Sequence, residues 1–207
     1  MIVPDSLSSW QEERSMPWEK QFDKAEVLDR ALQTFWTRGY EATSMQDLVD
    51  CTGVNRASLY ATYGDKRAFF LEALRAYDDG RRKMLAEFEK RYQPCEAIRK
   101  VFLCFLADVP NQTGGRGCFM TNTALELSAH DAEIRSIVAR AQEEVEAFFA
   151  AMIKKGKADG SISAHVKPSD GARGLLASLL GFLVLVRSRP NPTLLDGIVD
   201  DAIRRLK

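Results

Sequence analysis

The sequence lacks most features that would place it in a functional class at sight. It has no excess charge: 29 acidic residues balance 29 basic ones, for a formal net charge of zero. Such a chain has no global field to draw in nucleic acid or an anionic surface, so any attraction of that kind must be local. It has only two histidines, and its four cysteines (Cys51, Cys95, Cys104, Cys118) show no Cys-x-x-Cys spacing. Zinc sites and a disulfide scaffold are therefore not expected, and a reducing cytoplasm is the expected compartment. Long apolar runs are missing too. The longest, Leu175 to Val186, spans 12 residues and is broken by Ser178 and Gly181, whereas a membrane span needs about 20. The opening MIVPDSLSSW carries no apolar core of a signal peptide. We find no internal repeat, nucleophile–base pairing, phosphate loop or metal-ligand cluster, so neither an enzyme nor a cofactor is expected.

What is present is helical. An apolar fraction of 45% in 207 residues is enough for a real core. Residues 1–21, with Pro4, Pro17 and several serines, read as a flexible arm. Arg14 and Lys20 stand there against Asp5, Glu12, Glu13 and Glu19, which disfavours a minor-groove role. Asp23 and Glu26 then make a capping pair, and Val27, Leu28, Ala31, Leu32, Phe35 and Trp36 recur every three to four residues up to Gly39. The stretch Ser44 to Lys66 follows. Ser44 and Asp47 suit a capping box, Gly53 suits a left-handed turn, and Asn55 caps a second short helix with Leu59 as its core anchor. Helix, short turn with glycine, helix is the helix-turn-helix pattern, whose second helix enters a DNA major groove. A long helix is expected from Asp65 to about Tyr92, with a bend at Asp78-Asp79-Gly80. Further amphipathic helices fill the rest. The expected fold is all-α with about nine helices: a DNA-binding head over residues 22–67 and a helical sensing and dimerisation region over 68–207.

Within the helix-turn-helix, Arg56, Ala57 and Ser58 open the second helix, where side chains meet base edges first. Arg56 is the one long donor there, and either a bidentate grip on guanine or a phosphate contact fits it. The span from Asp23 to Arg67 holds seven acids (Asp23, Glu26, Asp29, Glu41, Asp47, Asp50, Asp65) and six bases (Lys24, Arg30, Arg38, Arg56, Lys66, Arg67). Few phosphate contacts and a modest salt dependence follow.

Residues Phe22 to Phe70 closely resemble the tetracycline-repressor (TetR) family of bacterial regulators. Gly39-Tyr40, Thr43-Ser44, Asp47-Leu48, Gly53-Val54, Leu59-Tyr60, Tyr63 and Lys66 stand at that family's spacing. The resemblance covers about a quarter of the chain directly. It implies a homodimeric transcriptional regulator, usually a repressor, that leaves a double-stranded, pseudo-palindromic operator when a small-molecule inducer binds. It also implies DNA-contacting roles in the set Thr43, Ser44, Asn55, Arg56, Ala57, Ser58, Tyr60, Tyr63 and Lys66. Tyr60, Tyr63 and Lys66 would hold phosphates, with Thr43 and the Ser44 backbone on another. A packed aromatic is the other reading of Tyr60 and Tyr63.

Downstream, Asn122 and Glu126 lie four apart on one helix face and can enter one cavity. Phe102, Phe105, Phe119, Phe148, Phe149 and Met152 are its candidate walls, or else ordinary core. Cys118, at a helix start after Arg116, has the setting of a reactive thiol. It is similar to a TetR subgroup with electrophile-responsive repressors, so a redox or electrophile sensor competes with plain packing there. Leu176, Leu179, Leu180, Leu183, Ile198 and Ala202 mark the expected dimer surface. A helical ligand-binding protein without DNA binding is the third reading.

Overall fold

The computed structural model describes residues 22–106 and 115–207. The arm over 1–21 and most of the loop after Pro110 lie outside the described residues. Among the described residues there are nine α-helices and no strand, as the periodicity predicts: α1 (Lys24–Arg38), α2 (Met45–Thr52), α3 (Arg56–Tyr63), α4 (Lys66–Arg91), α5 (Pro94–Leu103), α6 (Phe119–Leu127), α7 (Ala132–Ala158), α8 (Pro168–Ser188) and α9 (Pro192–Arg204).

Local chemistry sets the helix starts. Asp23, Asn55, Asp65 and Asn191 each accept a backbone N–H of the following turn, and Ser44 with Asp47 forms a complete capping box. Each such cap contributes about 1 kcal/mol. Glu26 does not return the Asp23 cap; it pairs with Arg30 one turn on. Gly53, with φ 71°, ends α2 in the left-handed region, and its N–H reaches Val49 O.

The α4 helix is continuous through Gly80. At the expected weak point Asp78-Asp79-Gly80 the helix is not broken: Asp78 is buried and tied to Arg81 and Arg82, one turn further along the same helix. Its first turns close the head against α1 and α3, and its later turns pack against α5, α6 and α7. One helix thus belongs to both halves. The α7–α8 pair is the most extensive helix contact. α8 is long and apolar enough by composition to cross a membrane, but Ala172, Leu175, Leu179, Phe182, Leu183 and Val186 are buried within the fold.

Arg67 at the start of α4 bridges Asp131 at 2.7 Å and Glu133 at 2.9 Å. The Arg67 guanidinium holds the Asp131 carboxyl down at about 2, and the Ile134 N–H it caps adds to this. A depressed carboxyl stabilises the fold above its ordinary value of 3.8, and the contribution is lost as pH falls towards about 2. Asp131→Asn keeps the cap and removes the charge, so at neutral pH it is expected to cost under about 1 kcal/mol for so exposed a bridge. Asp131→Ala adds about 1 kcal/mol for the lost cap. Urea unfolding between neutral pH and pH 3 checks this: the gap between wild type and Asp131→Asn must narrow on the acid side, and a constant gap contradicts the assignment.

Candidate functional site

The outward face of α3 is small and open. Arg56, Ala57 and Tyr60 are exposed and Ser58 is half-buried, while Leu59 beneath them is wholly buried. Asn55 Oδ1 accepts the Ser58 N–H at 2.9 Å, so this residue shapes the helix start. Arg56 reaches across to α2, where its Nη2 donates to Gln46 Oε1 at 3.3 Å. That contact lays the guanidinium along the outer edge of the helix pair. Tyr60 is one of three exposed large hydrophobic residues among those described, at 45%.

Two expected DNA contacts are placed differently. Thr43 is fully buried and its hydroxyl donates to Gly39 O at 2.6 Å, which closes the turn before α2. Tyr63 is buried too; its ring stacks on Phe69 with centroids 3.9 Å apart, and its hydroxyl donates to Lys24 O at 3.2 Å. Spacing alone could not separate inward from outward at these two positions. Ser44 is exposed at the start of α2, and its N–H donates to Asp47 Oδ2 at 2.8 Å. Lys66 is half-buried, with Nζ 3.0 Å from Tyr40 O and 4.1 Å from the centre of the Tyr40 ring.

The acids of the head are largely committed to local work. Asp47 pairs with Arg38 and Ser44, and the Ser44 hydrogen bonds hold its carboxyl below the usual range. Asp23 and Asp65 cap helices. An exposed short helix with Arg56 at its start, no acid of its own and a bracing helix behind it can enter a DNA groove. Comparison with known proteins agrees. The family described as bacterial regulatory proteins, tetR family, matches residues 27–73. The tetracyclin repressor-like C-terminal domain matches residues 94–200. The chain belongs to the TetR family.

As a TetR-family protein it is a DNA-binding transcriptional regulator, and its relatives are regulators rather than enzymes. The uncharacterized HTH-type regulator YezE of Bacillus subtilis is 35% identical over 145 residues, covering 70% of this chain and 75% of its own. The HTH-type repressor ComR of Escherichia coli is 29% identical, covering 90% and 89%. A cysteine mutant of the TetR family regulator CifR, solved with 26 bp operator DNA, superposes with a TM-score of 0.78 at 25% identity, covering 92% of this chain and all of that one.

The sensing half divides the expected pocket residues between different places. Phe102, Phe149 and Phe182 form one aromatic group in the core, with Phe148 against Phe149 and Met152 buried nearby. Phe119 belongs to a second group at the head, 5.4 Å from Phe70, 5.7 Å from Tyr77 and 6.3 Å from Trp36. Of the expected walls, only Phe105 lines the small apolar cavity between α4, α5, α6, α7 and α8, which measures about 50 Å³. Cys118, Met120, Leu176, Leu179, Leu180 and Leu183 also line it.

Asn122 and Glu126 do share a face and, as expected, line one pocket together with Phe119: an open one of about 500 Å³ between α1, α6 and α8, apart from the smaller cavity. The Asn122 amide donates to Arg116 O at 2.9 Å. Glu126 leaves the sensing half altogether: its carboxylate accepts the N–H of Tyr40 at 3.2 Å and of Glu41 at 2.9 Å. Both lie in the turn between α1 and α2. Gly39 leaves room for this, since a Cβ there would stand 3.0 Å from Glu126 Oε2, and its φ of 87° already excludes one. Sequence reasoning missed this contact because it joins residues 85 and 86 apart.

Cys118 is buried at the N-cap of α6. The Arg116 guanidinium lies over the Trp36 ring, 4.3 Å from its centre, and donates to Gln33 Oε1. It is Tyr77 that donates its hydroxyl to Cys118 Sγ, at 3.3 Å, and burial pushes the Tyr77 hydroxyl well up, which keeps its proton in place. On the expected dimer face, Leu179, Leu183 and Ala202 are buried in their own protomer, because they sit on the side of α8 and α9 turned to α5 and α7. Leu176, Leu180 and Ile198 are half-buried. A shallow groove between α8 and α9, lined by Gly181, Leu185, Leu194, Gly197 and Ile198, remains on the outside.

The buried stack of Tyr63 generates a clear expectation. Tyr63→Phe keeps the ring on Phe69 and leaves DNA affinity unchanged in a fluorescence anisotropy titration. Tyr63→Ala opens a hole under α3 and costs about 3–5 kcal/mol of stability, read by thermal or urea melts. A loss of DNA affinity in Tyr63→Phe with an unchanged melt would return Tyr63 to the DNA surface.

Proposed function

We propose that the regulator is a homodimeric, cytoplasmic repressor that leaves a pseudo-palindromic operator when a small molecule enters the cavity between α4 and α8. The observation that carries this is the position of α6. Its first turn, with Cys118, Met120 and Thr121, lines the cavity, and its last turn holds the head through Glu126. A ligand that displaces the first turn moves the second, because a nine-residue helix is a single rigid piece.

In this reading Arg56, Ala57 and Ser58 face base edges, with Arg56 on guanine. Tyr60, Lys66 and the N-terminus of α2 at Ser44 hold phosphates. Two heads are brought about 34–36 Å apart, one helical turn of DNA, by pairing the α8–α9 faces around Gly181, Gly197 and Ile198. Small residues there let backbones approach, and Leu176, Leu180 and Leu185 supply apolar area beside them.

Cys118 supports a second reading, in which a thiol-reactive compound acts instead of a reversible ligand. The specific observation is that its sulfur lines the same cavity and receives the Tyr77 hydroxyl.

Selection of bound duplexes from a random pool by the full chain tests the function. The expected product is a palindrome with half-sites one turn apart; an unenriched pool overturns the reading. Arg56→Ala should then lose about 1–3 kcal/mol of affinity and relax the preference at one base pair of each half-site. A uniform loss over all sequences would make Arg56 a phosphate contact instead. For the second reading, Cys118→Ser should abolish operator release by a thiol alkylator such as N-ethylmaleimide, and a retained response would exclude it.

A further inference from the structure

The open pocket between α1, α6 and α8 carries a charge that the fold does not answer. Three charged side chains line it: Arg38, Glu126 and Arg187. Two of them are engaged. Arg38 pairs with Asp47 on α2, and the Glu126 carboxylate accepts the Tyr40 and Glu41 N–H groups. Arg187, in the last turn of α8, is exposed. Its side chain has neither an ion pair nor a hydrogen bond among the described residues. A guanidinium offers two parallel N–H groups, and the acceptor that matches them is a carboxylate.

The walls beside Arg187 are apolar where most of the surface is not. Large hydrophobic side chains are exposed at three places among the described residues. One is Tyr60 on α3. The other two, Leu125 at 75% and Val184 at 45%, both line this pocket. Trp36 and Phe119 line it from α1 and α6. Its volume of about 500 Å³ lies within the range of sites that hold a drug-sized ligand. Glu126 does not bar an anion. Arg187 stands at the Asn122 end of the pocket: a Cβ on Gly117 would lie 3.6 Å from Asn122 Oδ1 and 3.8 Å from Arg187 Cβ. Glu126 comes one turn later on α6, about 6 Å along the helix axis. An anion in contact with Arg187 gains more from it than it loses to a carboxylate a turn away, because the interaction falls with distance.

We propose that this pocket binds a small amphipathic carboxylate, its apolar body against Trp36, Leu125 and Val184 and its carboxylate in the Arg187 fork. The site is separate from the cavity between α4 and α8 and does not depend on the reading of that cavity. It is walled by both halves of the chain, with Gly39 on the head side and α6 and α8 on the other. An occupant therefore holds the α1–α2 turn against α6.

Three probes of nearly equal shape, 2-naphthoate, 2-naphthamide and 2-naphthamidine, differ only in head-group charge. They are titrated into the full chain by calorimetry, with acetate as the probe that lacks the apolar body. The expected result is that naphthoate binds at least ten-fold more tightly than the amide or the amidine, and that acetate shows no binding. Arg187→Gln should bring naphthoate down to the level of the amide with the thermal melt unchanged, since Arg187 is exposed and unpaired among the described residues. Leu125→Ser should weaken naphthoate and naphthamide by the same factor without altering the oligomeric state. Hydrogen–deuterium exchange over residues 39–43 places the probe: saturating naphthoate should slow it at least three-fold, and Arg187→Gln should remove that protection. Equal binding of naphthoate and naphthamide, no binding of naphthoate, or unchanged naphthoate affinity in Arg187→Gln overturns the assignment. So does binding that leaves exchange over residues 39–43 unaltered, which would put the probe elsewhere. A shift of Leu125→Ser to a smaller oligomer overturns it too, by making this rim a contact between copies. Should Arg187→Gln not melt as the wild type does, the wild-type probe series and the exchange result decide.

Discussion

One carboxylate sets the orientation of the head. Glu126 stands at the far end of α6 and accepts two main-chain N–H groups from the turn that joins α1 to α2. Hydrogen bonds to a charged group are worth about 1.5–3 kcal/mol each, whereas exposed ion pairs contribute about 0–1 kcal/mol. The half-open bridges from Arg67 and Arg75 to Asp131 and Glu133 are of the weaker kind. Beside Glu126, Phe119 places its ring between Phe70 of α4 and Trp36 of α1. Both anchors come from α6. The α1–α2 turn is thus held by the same helix that walls the small cavity, and Gly39 is the residue whose missing side chain makes room for it.

The electrostatics of the head follow from where its acids go. An almost balanced count over residues 23–67 could have meant a surface that repels DNA. Instead Asp23 and Asp65 cap helices, and Asp47 is shared by Ser44 and Arg38. These carboxylates sit at helix N-termini, where their charge offsets the helix dipole. The outer edge of α3 keeps Arg56 and no acid. In the proposed docking, affinity would rest on a few well-placed contacts rather than on a broad basic field, and such an interface releases few counterions and depends weakly on salt.

What was legible in the sequence is what depends on neighbours along the chain. The capping box at Ser44 and Asp47, the Asn55 cap, the Gly53 turn and the buried Leu59 all follow from residues within one or two turns, and the structure has each of them. The misreadings share a cause of a different kind. Tyr63 has a surface spacing, but Phe69 lies at stacking distance beneath it. Asn122 and Glu126 share a helix face, as their spacing requires, yet that face runs across the boundary between the two halves. Periodicity tells which residues are on one side of a helix and not what lies opposite.

The same geometry limits how a switch can work here. A packed interior does not deform smoothly; it moves between discrete arrangements. The cavity is bounded by long helices on most sides: α4 with 26 residues, α7 with 27 and α8 with 21. The α7–α8 pair is the most extensively packed in the fold, and α4 is braced to α7 through Arg81, Arg82 and Glu144. A ligand that needs more room finds these walls hard to move. α6 is short, begins without a side-chain cap and follows the Gly115–Gly117 approach. It is also the wall that carries Glu126. A ligand shifts the equilibrium only by its difference in affinity for the two arrangements, so the effect on DNA is bounded by what that displacement takes from the Tyr40 and Glu41 hydrogen bonds. A loss of about 3 kcal/mol there amounts to roughly a hundred-fold in operator affinity, which is the range allosteric coupling usually spans.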